Sequence, residues 1–287
     1  MSRYSWPKRQ AKIVRWWVRR ALTALRYGPQ ALAASPRVFG NAMPKSGSHL
    51  IIQVLQGLTQ VGPLVNPGFP PVNRSEDNRK LSPQEVLANL QRMRPGDIGY
   101  GYVHAQEPFI QTLTAPDRAT LFVYRDPRDM IVSHVFYATQ IHKGHGMHRY
   151  YTKVLQSMEE RINAQILGVE IPGYELSDIR TKYEAYLGWL EQPAVLCLRF
   201  EDLILDQVNT LKRLLEYVEQ RGFVPRRSPD ECVAALQAAI APQRSGTFRR
   251  AKPGNWREHF TEGNKARFKE VAGDLLIRLG YERNHDW

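Results

Sequence analysis

Three apolar runs, two of them ending in a polar turn that restarts as a helix, predict an α/β fold for this chain. The runs are Val38–Met43, Ile98–His104 and Ala119–Tyr124; buried strands joined by helical crossovers belong to parallel sheets. The first run feeds a short loop containing Gly47. The expected architecture is therefore a P-loop-like central parallel β-sheet flanked by helices on both faces, a single domain with an N-terminal basic amphipathic helix. Residues 1–35 are read as the basic segment and residues 36–287 as the folded domain.

At 287 residues and 43% hydrophobic content the chain has enough apolar side chain for a full core. Its net charge of +12 is unevenly placed, because the first acidic residue is Glu76 and residues 1–75 hold eleven Lys or Arg. The remainder is near neutral, with 29 basic against 28 acidic residues. A nucleic-acid binder spreads its basic footprint over a folded face, so no nucleic-acid partner is expected. The two cysteines, Cys197 and Cys232, lack metal-ligand spacing and sit among apolar residues. They fit buried thiols in a reducing compartment, so a cytoplasmic setting is expected.

Residues 6–26 read as a helix with two faces. At about 100° per residue, Ile13, Val14, Trp17, Val18, Ala21, Leu22, Ala24 and Leu25 share one half of the wheel. Lys12, Arg15, Arg19, Arg20 and Arg26 occupy the other, with Trp16 on the basic side. The pattern suits a helix lying on an anionic membrane surface, peripheral on its inner face. It also suits a helix packed on its own domain with its basic face in water. No apolar run approaches the ~18 residues that would span a bilayer.

The folded body starts after Ser35-Pro36. Val38–Met43 is a strand that gives way at Pro44, and Gly47 lets the backbone approach an anion closely. The amides of Ser46 to Leu50 then point outward at the start of a helix over 49–60, where Lys45 adds a full charge. Residues 61–80 are rich in Pro, Gly and Asn and predict a long surface loop, a place where substrate contacts gather. Ser82-Pro83 starts a short helix that ends near Arg94-Pro95-Gly96.

The second strand, Ile98–His104, delivers His104 at its carboxyl end, where ligands collect in parallel sheets. The third strand ends in Arg125-Asp126-Pro127-Arg128-Asp129, with Asp126 as N-cap and Pro127 at the first helical position. Ser133 falls in the second turn, so Arg125 and Ser133 could offer a guanidinium and a hydroxyl to one phosphate. A salt-bridged helix cap accounts for Asp126, Arg128 and Asp129 but leaves those two unexplained. Residues 138–180, with His142, His145 and His148, are expected to form a mobile acceptor-site loop. The histidines have no acidic or cysteine partner nearby, so no metal site is expected. Residues 264–279 predict one amphipathic helix carrying Phe268, Val271, Leu275 and Leu279 on its core face.

Pro44-Lys45-Ser46-Gly47-Ser48, followed by Tyr124-Arg125-Asp126-Pro127-Arg128-Asp129 and Ser133, resembles the paired phosphate-binding motifs of the sulfotransferases that use 3′-phosphoadenosine 5′-phosphosulfate (PAPS). Leu198–Leu203 is similar to that family's strand-ending YEDL element, with Phe200 in place of its tyrosine. Phe248–Trp256, with Phe260-Thr261, is similar to the C-terminal cofactor loop. The resemblance implies PAPS as donor and roles residue by residue. Lys45 would neutralise the leaving phosphate oxygen, and Ser46, Gly47, Ser48 and His49 would hold the 5′-phosphate. Arg125, Ser133, Arg249 and Arg250 would clamp the 3′-phosphate, with Phe200 and Ala251 also on the cofactor, and His104 would be the general base. Lys45 and Ser133 join His104 as the catalytic set.

The chain departs from the family pattern at several points. His49 and Leu50 replace a Thr-Trp pair, Tyr102 stands where a lysine precedes the base, and Ala251 replaces a glycine. Glu107 is the fallback base. The acceptor implied is a hydroxyl on a small molecule, a carbohydrate or a glycolipid. Two other readings compete. In a P-loop kinase the loop would read G-x-x-x-x-G-K-[ST], whereas Lys45 precedes Gly47 here. A non-catalytic basic adaptor at a membrane would account for residues 1–37 alone.

Overall fold

Helices and strands alternate as crossover connections require. In this computed structural model, which describes residues 5–241 and 252–287, helices α1 (Ser5–Tyr27) and α2 (Pro29–Ala34) lead into strand β1 (Arg37–Ala42). Then come α3 (Ser48–Val61), α4 (Pro83–Arg92), β2 (Ile98–Gly101), α5 (Phe109–Leu113) and β3 (Arg118–Tyr124). Next are α6 (Pro127–Phe136), α7 (Met158–Leu167), β4 (Val169–Ile171), β5 (Tyr174–Leu176) and α8 (Ile179–Leu187). Strand β6 (Val195–Arg199) precedes α9 (Phe200–Leu205), α10 (Gln207–Gln220) and α11 (Pro229–Ala239), and α12 (Glu262–Ala272) and α13 (Leu275–Arg278) follow. The chain divides into two compact units, Met1–Tyr124 with Gly188–Arg244, and Arg125–Leu187 with Ser245–Trp287.

The first unit holds a four-stranded parallel sheet in the order β2-β1-β3-β6. The path steps from β1 to β2 on one side and then to β3 on the other, which makes the carboxyl ends of β1 and β3 the switch point where ligands bind in such sheets. β1 is buried along almost its whole length. Gly40 is glycine because α3 packs so closely that a β-carbon there would lie 2.9 Å from Leu55 Cδ1. The segment after α3 runs along the outer edge of β2, with Ile98 N donating to Val65 O and Val72 N to Tyr100 O. β2 is shorter than the run Ile98–His104 predicts. Beyond Gly101, Val103 no longer takes its partners from a strand; it takes them from the side chains of Asn41 and Trp189.

α1 forms as the periodicity predicts, and its docking face is the unexpected one. Trp16, on the basic side of the wheel, is 4% exposed and donates its indole N–H to Asp97 Oδ1 at 2.9 Å. Arg20 donates to the same oxygen at 2.7 Å, and Lys12 pairs with Glu76. Trp16 packs with Leu32 and Val65, and the ring of Phe69 meets it edge-on. The apolar side faces out: Val14 is 63%, Val18 54%, Leu22 59% and Leu25 84% exposed. No helix among the described residues is long and apolar enough to cross a membrane.

Among the described residues, the regular structure of the second unit is helical apart from the β4–β5 hairpin. Its core gathers Val135, Ala138, Met147, Tyr151, Ala164 and Leu176. The mobile loop expected over 138–180 is thereby corrected, because this stretch is built of π-helical turns at Tyr137–Ile141 and Tyr150–Val154, α7, the hairpin and the start of α8. Met147 and Tyr151, fully buried, pin the histidine segment to the core. His142 stacks on Tyr137, His145 Nδ1 accepts from Met147 N, and His148 Nδ1 lies 2.8 Å from Ala138 O. Among the described residues no three His, Cys, Asp or Glu side chains converge to hold a metal ion. The single helix expected over 264–279 is also corrected. It breaks at Gly273, whose φ of 52° lies in the left-handed region, and resumes at α13 with Leu275 and Leu279 still buried.

Candidate functional site

In the first unit the loop after β1 has the form of an anion cradle. Lys45 and Gly47 both take left-handed backbone conformations, with φ of 66° and 97°. Gly47 is the N-cap of α3 and supplies no side-chain cap, so the first amides of that helix stay available, with the positive end of its dipole behind them. Ser46 Oγ is buried and has no hydrogen-bond partner among the described residues. Phe200, the first residue of α9, closes the loop from behind. A β-carbon on Gly47 would lie 2.5 Å from its ring. The structure thus brings together five candidates, Lys45, Ser46, Gly47, Ser48 and Phe200. His49 is the next residue of α3, with an imidazole pKa below its ordinary value, first through partial burial and then through the charge of Lys45.

The segment beyond β2 is tied to this loop by residues that sequence reasoning missed. Asn41, fully buried at the end of β1, receives the N–H of Val103 on Oδ1 and donates Nδ2 to the carbonyl of Val103, each at 2.9 Å. Trp189 Nε1 donates to the same carbonyl at 2.8 Å. The residue that follows, His104, is thereby set on a fixed backbone. Its imidazole is solvent-accessible, and its pKa is lowered by partial burial and then by the charge of Lys80. Tyr102, where the family pattern has a lysine, donates its hydroxyl to Ser48 Oγ at 2.9 Å and links the segment to the loop. Glu107, the fallback base, accepts from Gln111 N at 3.3 Å in the next turn. Asn41 stands two residues before the loop, but its role depends on a contact 62 positions away.

A cavity of about 510 Å3 opens in the same unit, walled by α1, α3, α4, β2 and the segment 66–81. Trp16, Ile52, Phe69, Arg92 and Tyr100 line it, and neither Lys45 nor His104 does.

In the second unit the chain leaves β3 through Arg125, which is 9% exposed and lies 3.7 Å from Asp129. Asp126 caps α6 by accepting from Arg128 N at 2.9 Å. Arg128 is locked by Asp126 at 2.7 Å, with its guanidinium 3.9 Å from the Trp256 ring centroid, a structural ion pair as the helix-cap reading predicts. Asp129 does more than the sequence suggests. Its Oδ2 accepts from Gly254 N and its Oδ1 from Trp256 N, both at 2.8 Å, which fastens the C-terminal loop to the first turn of α6. Burial pushes the Asp129 carboxyl up, against the pull of Arg125. Ser133 lies half-buried in the second turn of α6. Arg249, Arg250 and Ala251 lie outside the described residues; the loop resumes at Lys252, two residues before the Gly254 anchor.

No curated protein matches the chain at a significant level. Among solved structures, the mouse sulfotransferase SULT7A1 complexed with PAP is similar in fold, with a TM-score of 0.58 and 15% identity over 90% of each chain. Retinol dehydratase in a complex with retinol and PAP aligns with a TM-score of 0.54 and 14% identity, over 86% of this chain and 84% of that one. At such identities the likeness concerns the fold. Membership is decided by the sequence profile of the sulfotransferase domain, which matches residues 35–280, from just before β1 to Gly280 beyond α13. With that match spanning both motif-bearing units, the chain belongs to the sulfotransferase family.

Proposed function

We propose that this sulfotransferase moves a sulfuryl group from PAPS to a hydroxyl of a small-molecule or lipid-linked acceptor. The observation that supports it best is the loop Pro44–Ser48, where an unpartnered Ser46 hydroxyl, a left-handed Gly47 and an uncapped helix start fit a phosphate group. The related structures carry PAP, the desulfated form of the donor. When bound, PAPS supplies a sulfuryl group held through an activated phosphate–sulfate bond.

In this reading the amides of Gly47, Ser48 and His49 and the hydroxyls of Ser46 and Ser48 hold the 5′-phosphate, while the Ser46 amide stays on the Met43 carbonyl. Arg125, Ser133, Arg249 and Arg250 recognise the 3′-phosphate, while Phe200 and Ala251 shape the nucleotide site. His104 accepts the acceptor's hydroxyl proton on an imidazole nitrogen as the acceptor oxygen bonds to sulfur. Lys45 stabilises the charge gathering on the phosphate oxygen as the sulfur–oxygen bond breaks. Partial burial and then the charge of Lys80 lower the His104 imidazole pKa, which favours the unprotonated form that a base needs. The products are a sulfate ester and adenosine 3′,5′-bisphosphate.

The reading extends to location. The outward apolar face of α1, beside Lys8, Arg15 and Arg26, fits peripheral attachment to an anionic membrane in a reducing, cytoplasmic setting. The test of the reaction is a labelled-PAPS transfer screen over glycolipid, sugar and small-alcohol acceptors. Label should move to at least one class and fail to move with Lys45→Ala. Transfer that persists undiminished in that variant would remove Lys45 from the mechanism.

A further inference from the structure

The wall of the cavity beneath α1 carries four carboxylates and four arginines, which are not paired one to one. Four acidic side chains reach its wall, and each is already satisfied. Glu76 pairs with Lys12, and Asp97 accepts from Trp16, Arg20 and the Arg94 amide. Glu85 pairs with Arg79, and Asp77 accepts from Ser75. The basic side is not matched in the same way. Arg9, on the inner face of α1, has no hydrogen bond or ion pair among the described residues, and Arg92, from α4, reaches only the amide oxygen of Asn89 and the ring of Phe69. Both are half-buried, and desolvation, followed by the charge of Arg9, lowers the pKa of Arg92. Two neighbouring guanidinium groups, neither of them in an ion pair among the described residues, repel one another in a cavity wall, and a shared anion reverses that repulsion.

Much of the remaining lining is apolar or aromatic, beside the polar side chains of Gln56, Asn66, Ser75 and Asn89 and the guanidinium of Arg74. Ile52, Leu55, Phe69, Val72 and Ile98 contribute hydrocarbon and ring surface. The volume, about 510 Å3, falls within the roughly 300–1,000 Å3 usual for small-ligand pockets. The cavity also adjoins the groups assigned to transfer. Tyr100 on its wall stands two residues before the Tyr102 that bonds Ser48. Arg79 and Leu81 line it on either side of Lys80, whose charge acts on His104.

We propose that this cavity binds an anionic amphiphile, with the anionic group on Arg9 and Arg92 and the apolar body against Phe69, Ile52 and Leu55. That this ligand is the acceptor rests on the sulfuryl-transfer reading; that it binds does not. The acceptor class is then an amphiphilic alcohol bearing a phosphate, carboxylate or sulfate group, chemistry shared by acidic lipids and soluble anionic amphiphiles.

The test is equilibrium binding of dodecyl phosphate to the full chain below its micellar concentration, beside dodecanol and inorganic phosphate. Binding of adenosine 3′,5′-bisphosphate is measured on the same preparations. Dodecyl phosphate should bind more tightly than either fragment, and Arg9→Met and Arg92→Met should each weaken it about tenfold or more, the loss expected for one charge-assisted contact. Both variants should keep wild-type nucleotide affinity, which also shows that they are folded. Comparing oleoyl lysophosphatidate with oleoyl lysophosphatidylcholine separates a lipid source, where the former should win, from a soluble one, where neither should match dodecyl phosphate. Absent dodecyl phosphate binding, or equal binding by both variants, with nucleotide binding intact, would overturn the cavity assignment and leave the transfer reading standing. Loss of nucleotide binding by the unmodified chain would instead strike the transfer reading.

Discussion

His104 and Asn41 divide the work of one position. Asn41 holds both polar groups of the Val103 backbone, and the imidazole follows on the next residue. Replacing Asn41 by Ala leaves the buried Val103 N–H without a partner, at a cost of about 1–3 kcal/mol. Urea denaturation should show that loss, and kcat should fall while nucleotide affinity holds. His104→Ala should likewise bind nucleotide at wild-type affinity and lose transfer; retained turnover would move the base to another group, Glu107 first. The pH dependence has a definite sign. A base works unprotonated, and partial burial with Lys80 lowers the imidazole pKa from its usual 6.5. The acid limb of kcat/KM should therefore lie below pH 6.5, and an inflection above it would contradict the assignment. Lys45, Gly47 and His104 could be named as candidates from the sequence, because strand-end position and the motif resemblance single them out. The contacts of Asn41, Trp189 and Tyr102 were not legible, since each exists only after the sheet has formed.

At the scale of elements, α1 shows how periodicity predicts a helix without predicting its partner. Its wheel separates apolar from basic, but one indole N–H and one guanidinium meeting the buried Asp97 decide which side docks. Burial pushes the Asp97 carboxyl up while those donors hold it down, so this contact is a specific polar lock. Val18→Ser with Leu25→Ser should leave the melting temperature nearly unchanged, as both are exposed, and should reduce sedimentation with anionic vesicles. Equal sedimentation of variant and wild type, or a wild-type dimer that the same pair dissolves, would reject a membrane as the occupant of that face. Residues 138–180 failed as a predicted loop for a related reason. Their polar histidines hide an apolar pattern, Met147 and Tyr151, that only the second unit's core completes. Helix α6 offers a further check. Asp129→Ala releases the amides of Gly254 and Trp256, and nucleotide affinity should drop about tenfold if the C-terminal loop carries phosphate contacts.

For the molecule as a whole, the α/β class and the parallel sheet followed from three apolar runs, two of them ending in a polar turn that restarts as a helix. The division into two compact units did not, because nothing in the sequence marks a boundary at Tyr124–Arg125, in the middle of one motif. That boundary separates the residues assigned to the 5′-phosphate, at Lys45–His49, from Arg125 and Ser133, assigned to the 3′-phosphate. Recognition of both phosphates is the central claim, and calorimetric titration of the full chain tests it most directly. Adenosine 3′,5′-bisphosphate should bind at least about tenfold more tightly than AMP or ATP, the gain expected when guanidinium groups meet an added phosphate. Equal affinity for the three nucleotides, or no binding of the 3′-phosphorylated one, would contradict the account.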